Sequence, residues 1–268
     1  MRKIKFSFLN RILRRKHNVQ RGKKKGKDTK KKYSIDYKTY TKDRHVLHQK
    51  IIRMIEKPNA YPKNGSKPIA ILIDGGTASG KTTMRKTIIE KELHSKSIHV
   101  TVIDLDEIKE YIPEYTIYKK TNPQQAASFV HKESYDISVL LLNKLIREQK
   151  NFIYEGTMAR RRRYQSLVHQ LKKQQYEIHA YVVDVPLSVA IKRADERAQI
   201  TGRKVPPSII KNTHKLVPRT FADIKNLLDS YHVYDNQHGF KLIASNDFVD
   251  AKRYANFVLK GKTKKLRQ

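Results

Sequence analysis

The chain has no cysteine, which excludes disulfides and thiolate metal sites and fits a reducing cytoplasm. Long apolar runs are also missing. The longest span about five residues, against the roughly 20 needed to cross a bilayer, so no transmembrane segment is expected. The N-terminus has the positive start of a secretory signal but not its apolar core, because Ile4, Phe6, Phe8, Leu9, Ile12 and Leu13 are interleaved with Lys5, Asn10 and Arg11. That interleaving also suits a short basic amphipathic helix resting on anionic lipid. Metal-ligand spacing is absent from the 11 histidines, and none is assigned a site.

Acidic residues are scarce: 25 Asp and Glu face 58 Lys and Arg, a formal charge of +33. The excess is concentrated at the ends, with 15 basic residues against Asp28 alone over residues 1–32 and 5 more over residues 260–268. Such a balance attracts polyanions, whether RNA, DNA, an anionic membrane surface or a polyphosphorylated substrate. A solvated, lysine-biased tail explains the same composition. Residues 1–40 are therefore expected as a basic, disordered tail, since residues 14–32 offer almost nothing to bury and Gly22 and Gly26 interrupt the lysine run. Residues 41–67 are expected as an amphipathic helix, with Leu47, Ile51, Met54 and Ile55 at helical spacing, followed by a linker containing Pro62, Asn64 and Gly65. Residues 68–259 then form one domain, and residues 260–268 a second basic tail.

What is present is organised around residues 69–83. Ile69, Ala70, Ile71, Leu72 and Ile73 read as a buried strand that empties into Asp74-Gly75-Gly76-Thr77-Ala78-Ser79-Gly80-Lys81-Thr82-Thr83, a match to G-x-x-x-x-G-K-[ST]. Backbone N–H groups converge on phosphate oxygens only where side chains leave room, which Gly75 and Gly80 provide. Lys81 is placed to reach the β- and γ-phosphates of ATP. Thr82 offers a hydroxyl to Mg²⁺, and the N-terminus of the following helix adds partial positive charge. The spacing predicts a cofactor-binding loop made of Gly75, Gly76, Thr77, Ala78, Ser79, Gly80, Lys81, Thr82 and Thr83.

Strand and helix patterns then alternate. Strands are expected at 99–103, 151–154, 178–183, 232–235 and 240–244, with helices at 81–93, from Pro123 through Ile146, at 160–175, from Pro186, at 207–216, at 220–228 and at 247–259. This alternation predicts an α/β fold of the P-loop NTPase and kinase type, with a mainly parallel sheet covered by helices on both faces. In such sheets ligands gather at the carboxyl ends of the strands. There the sequence delivers the P-loop, then Asp104 and Asp106, then Glu155 and Thr157, and finally arginines from the helix after the fourth strand. Phosphoryl transfer needs a phosphate cradle, a metal, a group to orient and deprotonate the acceptor, and cations for the moving charge. If strand geometry persisted, Asp104 and Asp106, two apart, would face the same side, one serving the metal through water and the other accepting the acceptor's proton. Arg193, Arg197 and Arg203 flank a break at Gly202 that suits a closing segment bearing transition-state cations, although Arg197 is equally placed to pair with Asp195 and Glu196 on a solvated face. The run Arg160, Arg161, Arg162 and Arg163 suits either an anionic acceptor or a nucleic-acid contact.

The elements Gly-Gly-Thr-Ala-Ser-Gly-Lys-Thr-Thr, Asp-Leu-Asp-Glu-Ile-Lys-Glu-Tyr-Ile-Pro-Glu-Tyr, Glu-Gly-Thr, and Val-Pro with the later Gly-Arg-Lys-Val-Pro resemble, in that order, a zeta toxin domain over about residues 68–236. The resemblance implies a P-loop kinase that uses ATP to phosphorylate the sugar of UDP-N-acetylglucosamine, poisoning cell-wall precursor supply, and an antitoxin protein as partner. It implies Lys81 and Thr82 for nucleotide and metal, Asp106 as base, Thr157 as an acceptor contact beside Asp104 and Glu155, and Arg193 and Arg203 as transition-state arginines. The four-arginine run and the basic N-terminal extension depart from the family pattern and bear on the acceptor. A polynucleotide or RNA kinase, and a nucleic-acid-binding protein with a P-loop switch, are the competing readings. Asp106 weighs against the switch, which needs no acceptor base.

Overall fold

The computed structural model describes residues 27–201 and 204–262. Among the described residues the first helix is α1 (Thr29–Tyr33), followed by α2 (Lys42–Ile55). Then come β1 (Ile69–Gly75) and α3, a continuous helix in three pieces, Lys81–Met84, a π turn over Arg85–Ile89, and Glu90–Ser95. β2 (Thr101–Asp104) leads to α4 (Leu105–Glu110), α5 (Pro113–Thr121) and the long α6 (Pro123–Arg147). β3 (Phe152–Glu155), α7 (Arg161–Lys173), β4 (Glu177–Asp184), α8 (Leu187–Thr201) and α9 (Pro207–Ile224) follow. β5 (Ser230–Asp235), β6 (Lys241–Ser245) and α10 (Ala251–Gly261) close the fold.

The strands form one sheet in the order β2-β3-β1-β4-β5-β6, parallel except for β6, which runs antiparallel to β5. β1 lies at the centre, and its neighbours β3 and β4 lie on opposite sides, so the P-loop emerges where the strand order reverses. Alternation along the strands feeds two cores. Ala70, Leu72, Phe152, Ala180 and Val182 point to one face, under α2, α6, α7 and α9, with Ile52, Leu141, Val168 and Phe221. Ile71, Ile73, Ile153 and Val183 point to the other, where α3 brings Met84, Ile89 and Leu93. Among the described residues no helix is long and apolar enough to cross a membrane.

Three elements differ from the sequence reading. Residues 27–40 are not a disordered tail: Asp28 caps α1 by accepting from Lys31 N at 3.1 Å, Thr29 is fully buried with its hydroxyl donating to Phe129 O, and Tyr40 Oη donates to Asp136. The partners of Thr29 and Tyr40 lie about a hundred positions downstream on α6, so local composition does not reveal them. Behind them Arg44 sits in a buried ionic cluster, forked onto Glu114 at 3.0 and 2.8 Å and onto Glu133 at 2.5 and 2.8 Å, with His48 Nε2 2.7 Å from Glu133. Burial alone would raise the Glu133 carboxyl, but hydrogen bonds from Arg44 and His48 overcome it and hold it at about 2. The expected break between helices at 216 and 220 is also absent, because α9 runs through Pro218. Burial of Val217, Phe221 and Ile224 on one side of α9 outweighs the roughly 3 kcal/mol an interior proline costs. Finally, the chain turns into a helix directly after Asp104, so the strand geometry assumed for Asp104 and Asp106 does not persist. The expected segments 1–26 and 263–268 lie outside the described residues.

Candidate active site

The loop after β1 is held from behind by residues far away in sequence. Thr77 N donates to Thr213 Oγ1 at 3.1 Å, His214 Nε2 donates to Thr77 O at 3.0 Å, and Asn236 Nδ2 donates to Ser79 O at 2.9 Å. Burial pushes the His214 imidazole down to about 4, so the ring is neutral. A carbonyl only accepts, so its proton sits on Nε2. The glycines admit these braces: a Cβ on Gly76 would lie 2.3 Å from the His214 ring, and one on Gly80, at φ +102°, 2.2 Å from Asn236 Nδ2. Ala78 adopts φ +61°, and Ser79 is fully buried with an unpartnered hydroxyl. A backbone bent this tightly before α3 is an anion cradle, and its residues fit the phosphates of a nucleotide.

The remaining groups converge on that cradle in a cavity of about 640 Å³ lined by Thr77, Ala78, Lys81, Thr82 and Thr83 with Asp104, Asp106, Glu155, Thr157, Arg193 and Arg197. Lys81 Nζ donates to Gly75 O at 3.1 Å and Gly76 O at 2.9 Å, and burial pushes its ammonium down against the opposing pull of Glu155, Asp74 and Asp106. Thr82 Oγ1 donates to Glu155 Oε1 at 2.5 Å. A hydroxyl and a carboxylate side by side form the hard oxygen set that Mg²⁺ takes together with nucleotide phosphates, so the site fits that ion.

Arg85, in the π turn of α3, fixes the carboxylates: its Nε donates to Glu155 Oε2 at 2.8 Å, its Nη2 to Asp104 Oδ2 at 3.2 Å and its Nη1 to Glu90 at 2.5 Å. Asp104 caps α4 by accepting from Asp106 N at 2.8 Å, and burial, with the charges of Glu155 and Asp106, pushes its carboxyl up. Asp106 is the more exposed of the two, 47% against 13%, and its Oδ1 is held by Lys109 Nζ at 2.7 Å. The two acids thus share one cavity through a helix cap rather than through strand alternation. Asp74, the last acid of β1 before the loop, is fully buried, with Tyr164 Oη donating to it at 2.5 Å. Burial pushes it up to about 7 against the pull of Tyr164 and Lys81.

Of the arginines, Arg193 Nη2 donates to Asn236 O at 2.9 Å and lines the cavity. Arg197 lines it as well, near enough for its charge to disfavour the Lys81 ammonium, so it belongs to the site rather than to a solvated face. Arg203 lies outside the described residues. The sequence reading missed Arg85, Thr213, His214 and Asn236. A test for metal-ligand spacing cannot find a histidine whose partner is a loop carbonyl 137 positions away.

A P-loop at the switch point of a parallel sheet, with strand-end carboxylates and helix arginines around it, defines a nucleotide-binding protein of the P-loop kinase class. The chain belongs to the zeta toxin family, whose model, described as Zeta toxin, matches residues 53–247. That span is longer than the motifs alone marked out and takes in the end of α2. Among solved structures, one from the PezAT chromosomal toxin-antitoxin system of Streptococcus pneumoniae is similar at TM-score 0.62 and 17% identity, over 84% of this chain and 91% of that one. The AvrRxo1-ORF1:-ORF2 structure with ATP is similar at TM-score 0.70 and 15% identity, over 89% of this chain and 83% of that one. Its counterpart with sulphate ions gives 0.65 and 14%, over 85% and 77%. At these identities the likeness is one of fold. The comparison with curated proteins finds no match.

Proposed function

We propose that this protein is an ATP-dependent phosphotransferase that moves the γ-phosphoryl group to a hydroxyl of a nucleotide sugar, with UDP-N-acetylglucosamine as acceptor. The observation that carries the reading is the meeting of Lys81, Thr82, Glu155 and Asp106 in one cavity, a cradle, a metal-binding oxygen pair and an acceptor base within one small volume. Family membership supports the reaction class and the acceptor, and the solved relative with ATP supports the nucleotide.

The roles follow from chemistry. The loop N–H groups and Lys81 hold the β- and γ-phosphates, and Thr82 with Glu155 would hold Mg²⁺, which when bound neutralises charge on the phosphate oxygens. Lys109 orients Asp106 so that its carboxylate takes the proton of the acceptor hydroxyl as that oxygen bonds to the γ-phosphorus and the bond to the β–γ bridging oxygen breaks, releasing ADP. Asp104, Glu155 and Thr157 line the acceptor side, and Arg193, with Arg203 as the resemblance implies, offsets charge on the transferring group. Because the relatives include toxin-antitoxin structures, the proposal extends to an antitoxin protein that blocks this site. Incubation with Mg²⁺, γ-labelled ATP and a panel of sugar nucleotides, free sugars and oligonucleotides tests it. Label on UDP-N-acetylglucosamine is expected, and label only on an oligonucleotide would replace the reading with a polynucleotide kinase.

A further inference from the structure

The two edges of the sheet are treated differently. Along β6 the chain covers its own edge: Asp250 N donates to Ile243 O at 2.9 Å, Ser245 N donates to Phe248 O at 2.7 Å, and Val249 bridges to Ala244. β2, the strand at the other end of the order, has no such cover among the described residues. Thr101 N donates to Asn151 O at 3.1 Å, which turns the N–H and C=O groups of Thr101 and Ile103 towards β3. Those of Val100 and Val102 therefore point the other way, out of the sheet. An open edge is normally blunted by proline, by lysine or by a covering segment, and residues 98–104 contain neither proline nor lysine.

A groove of about 1780 Å³ runs along this open edge. Its apolar walls come from both faces of the sheet, Leu47 and Ile55 of α2 on one side and Leu93 of α3 with Ile98 on the other. Met54 of α2 also lines it, 48% exposed. Charge is added to these walls. Arg53, Lys57 and Lys86 line the groove as exposed side chains, and among the described residues none has a carboxylate partner. Of the acids that line it, Glu90 and Asp104 are taken by Arg85, Asp106 by Lys109 and Glu110 by Lys119, which leaves Glu107 against three unpaired cations. An open strand edge between apolar walls, with an excess of positive charge, is complementary to an extended peptide rich in acids. Nucleic acid would answer the cations but leave the strand edge and the aliphatic walls unused. A second copy of this chain would bring +33 against +33.

We infer that the open edge of β2 is a docking surface for an extended acidic segment of a partner protein, which adds a strand to the sheet by pairing with Val100 and Val102 and sets its acids against Arg53, Lys57 and Lys86. The inference goes beyond the phosphotransferase reading and does not depend on it. It is also a contact apart from an antitoxin seated in the nucleotide cavity, because the two cavities share only Asp104 and Asp106 among their lining residues. Those two acids lie at the end of β2 and the start of α4, so one end of the added strand lies near the proposed base.

The test pans randomised displayed peptides of about ten residues against the full chain, and the selected peptides are synthesised for titration and for amide hydrogen exchange. The expected peptides are acidic, with β-branched or aromatic residues at alternate positions, and their binding slows exchange of the Val100 and Val102 amides about tenfold or more. Arg53→Glu/Lys57→Glu should weaken binding about tenfold or more, with the fold retained by circular dichroism. The same change of charge in Lys211→Glu/Lys252→Glu, on α9 and α10 outside the groove, should weaken it less than about twofold, which separates the groove from the general charge of the chain. No selected peptide, peptides that leave the two amides unprotected, or equal losses in the two double variants overturns the surface. So do Val100 and Val102 amides that exchange as slowly in the free chain as those of β3, which means that the chain or a second copy already covers the edge. Protection of those amides by single-stranded oligothymidine, with no acidic peptide selected, overturns it in favour of nucleic acid. None of these readouts uses ATP or turnover, so the surface stands or fails independently of the reaction proposed above.

Discussion

Replacing Asp74 by Asn should change how stability depends on pH. Asp74 is fully buried at the end of β1, and burial lifts its carboxyl from 3.8 to about 7. Between those values the unfolded chain has released the proton while the folded chain still holds it, so the folded state binds more protons and this group's contribution falls as pH rises. A shift of about 3 units at about 1.4 kcal/mol each gives up to about 4 kcal/mol lost between pH 4 and pH 7. The slope of the wild type alone is not diagnostic, because His214, pushed by burial from 6.5 to about 4, acts in the opposite sense: its contribution is present above 6.5 and is lost as pH falls towards 4. Subtracting wild type from Asp74→Asn cancels that term. Asn cannot ionise but still accepts from Tyr164, so the variant should gain on the wild type steadily from pH 4 to pH 7 and keep the gain at pH 8. Any cost of burying the new amide is a constant offset across pH. Urea unfolding of both proteins at half-unit steps measures the difference, and a difference that does not vary with pH would refute the account of Asp74.

Asp106→Asn should lower kcat by roughly a hundredfold or more while leaving ATP binding nearly intact, checked by single-turnover label transfer and titration calorimetry; a far larger loss in Asp104→Asn would move the base to the residue that caps α4. His214→Ala removes the donor to Thr77 O and leaves a void behind Gly76, so ATP should bind about tenfold more weakly with a stability loss of about 2 kcal/mol, read by calorimetry and by urea unfolding. Arg44→Ala strands Glu114 and Glu133 in the interior and should cost about 3–5 kcal/mol in urea unfolding. Because Glu133 is held at about 2 against 4.5, its share of stability is present above pH 4.5 and is lost as pH falls from there towards 2.

What was legible in the sequence was what local backbone geometry demands. The P-loop declares itself because a strand, two glycines and a Lys-Thr pair must be contiguous to cradle phosphate. The strands around it declare themselves because a strand buried on both faces is apolar throughout. Contacts made across the fold left no such mark. Thr213, His214 and Asn236 hold the loop from 136 to 157 positions away. Arg85 looks like one more basic residue on the P-loop helix until α3 packs it among Glu90, Asp104 and Glu155. For Asp104 the strand-end position was readable but the mechanism was not, since an acid that ends a strand is also the side chain that caps the next helix. The packing of residues 27–40 escaped for a related reason: a lysine-rich stretch reads as solvated unless the tyrosines within it, Tyr33 and Tyr40, are credited with partners on α2 and α6.

Transfer of the γ-phosphoryl group of ATP to a sugar hydroxyl, the reaction proposed for this cavity, can be followed by phosphorus NMR of a mixture of the full chain, Mg²⁺, ATP and UDP-N-acetylglucosamine. Loss of the γ-phosphate signal of ATP is expected to be matched by growth of a new phosphomonoester signal coupled to a sugar proton, with no such product from Lys81→Ala at unchanged melting temperature. Conversion of ATP to ADP and inorganic phosphate without a phosphomonoester, or full product formation by Lys81→Ala, would contradict it.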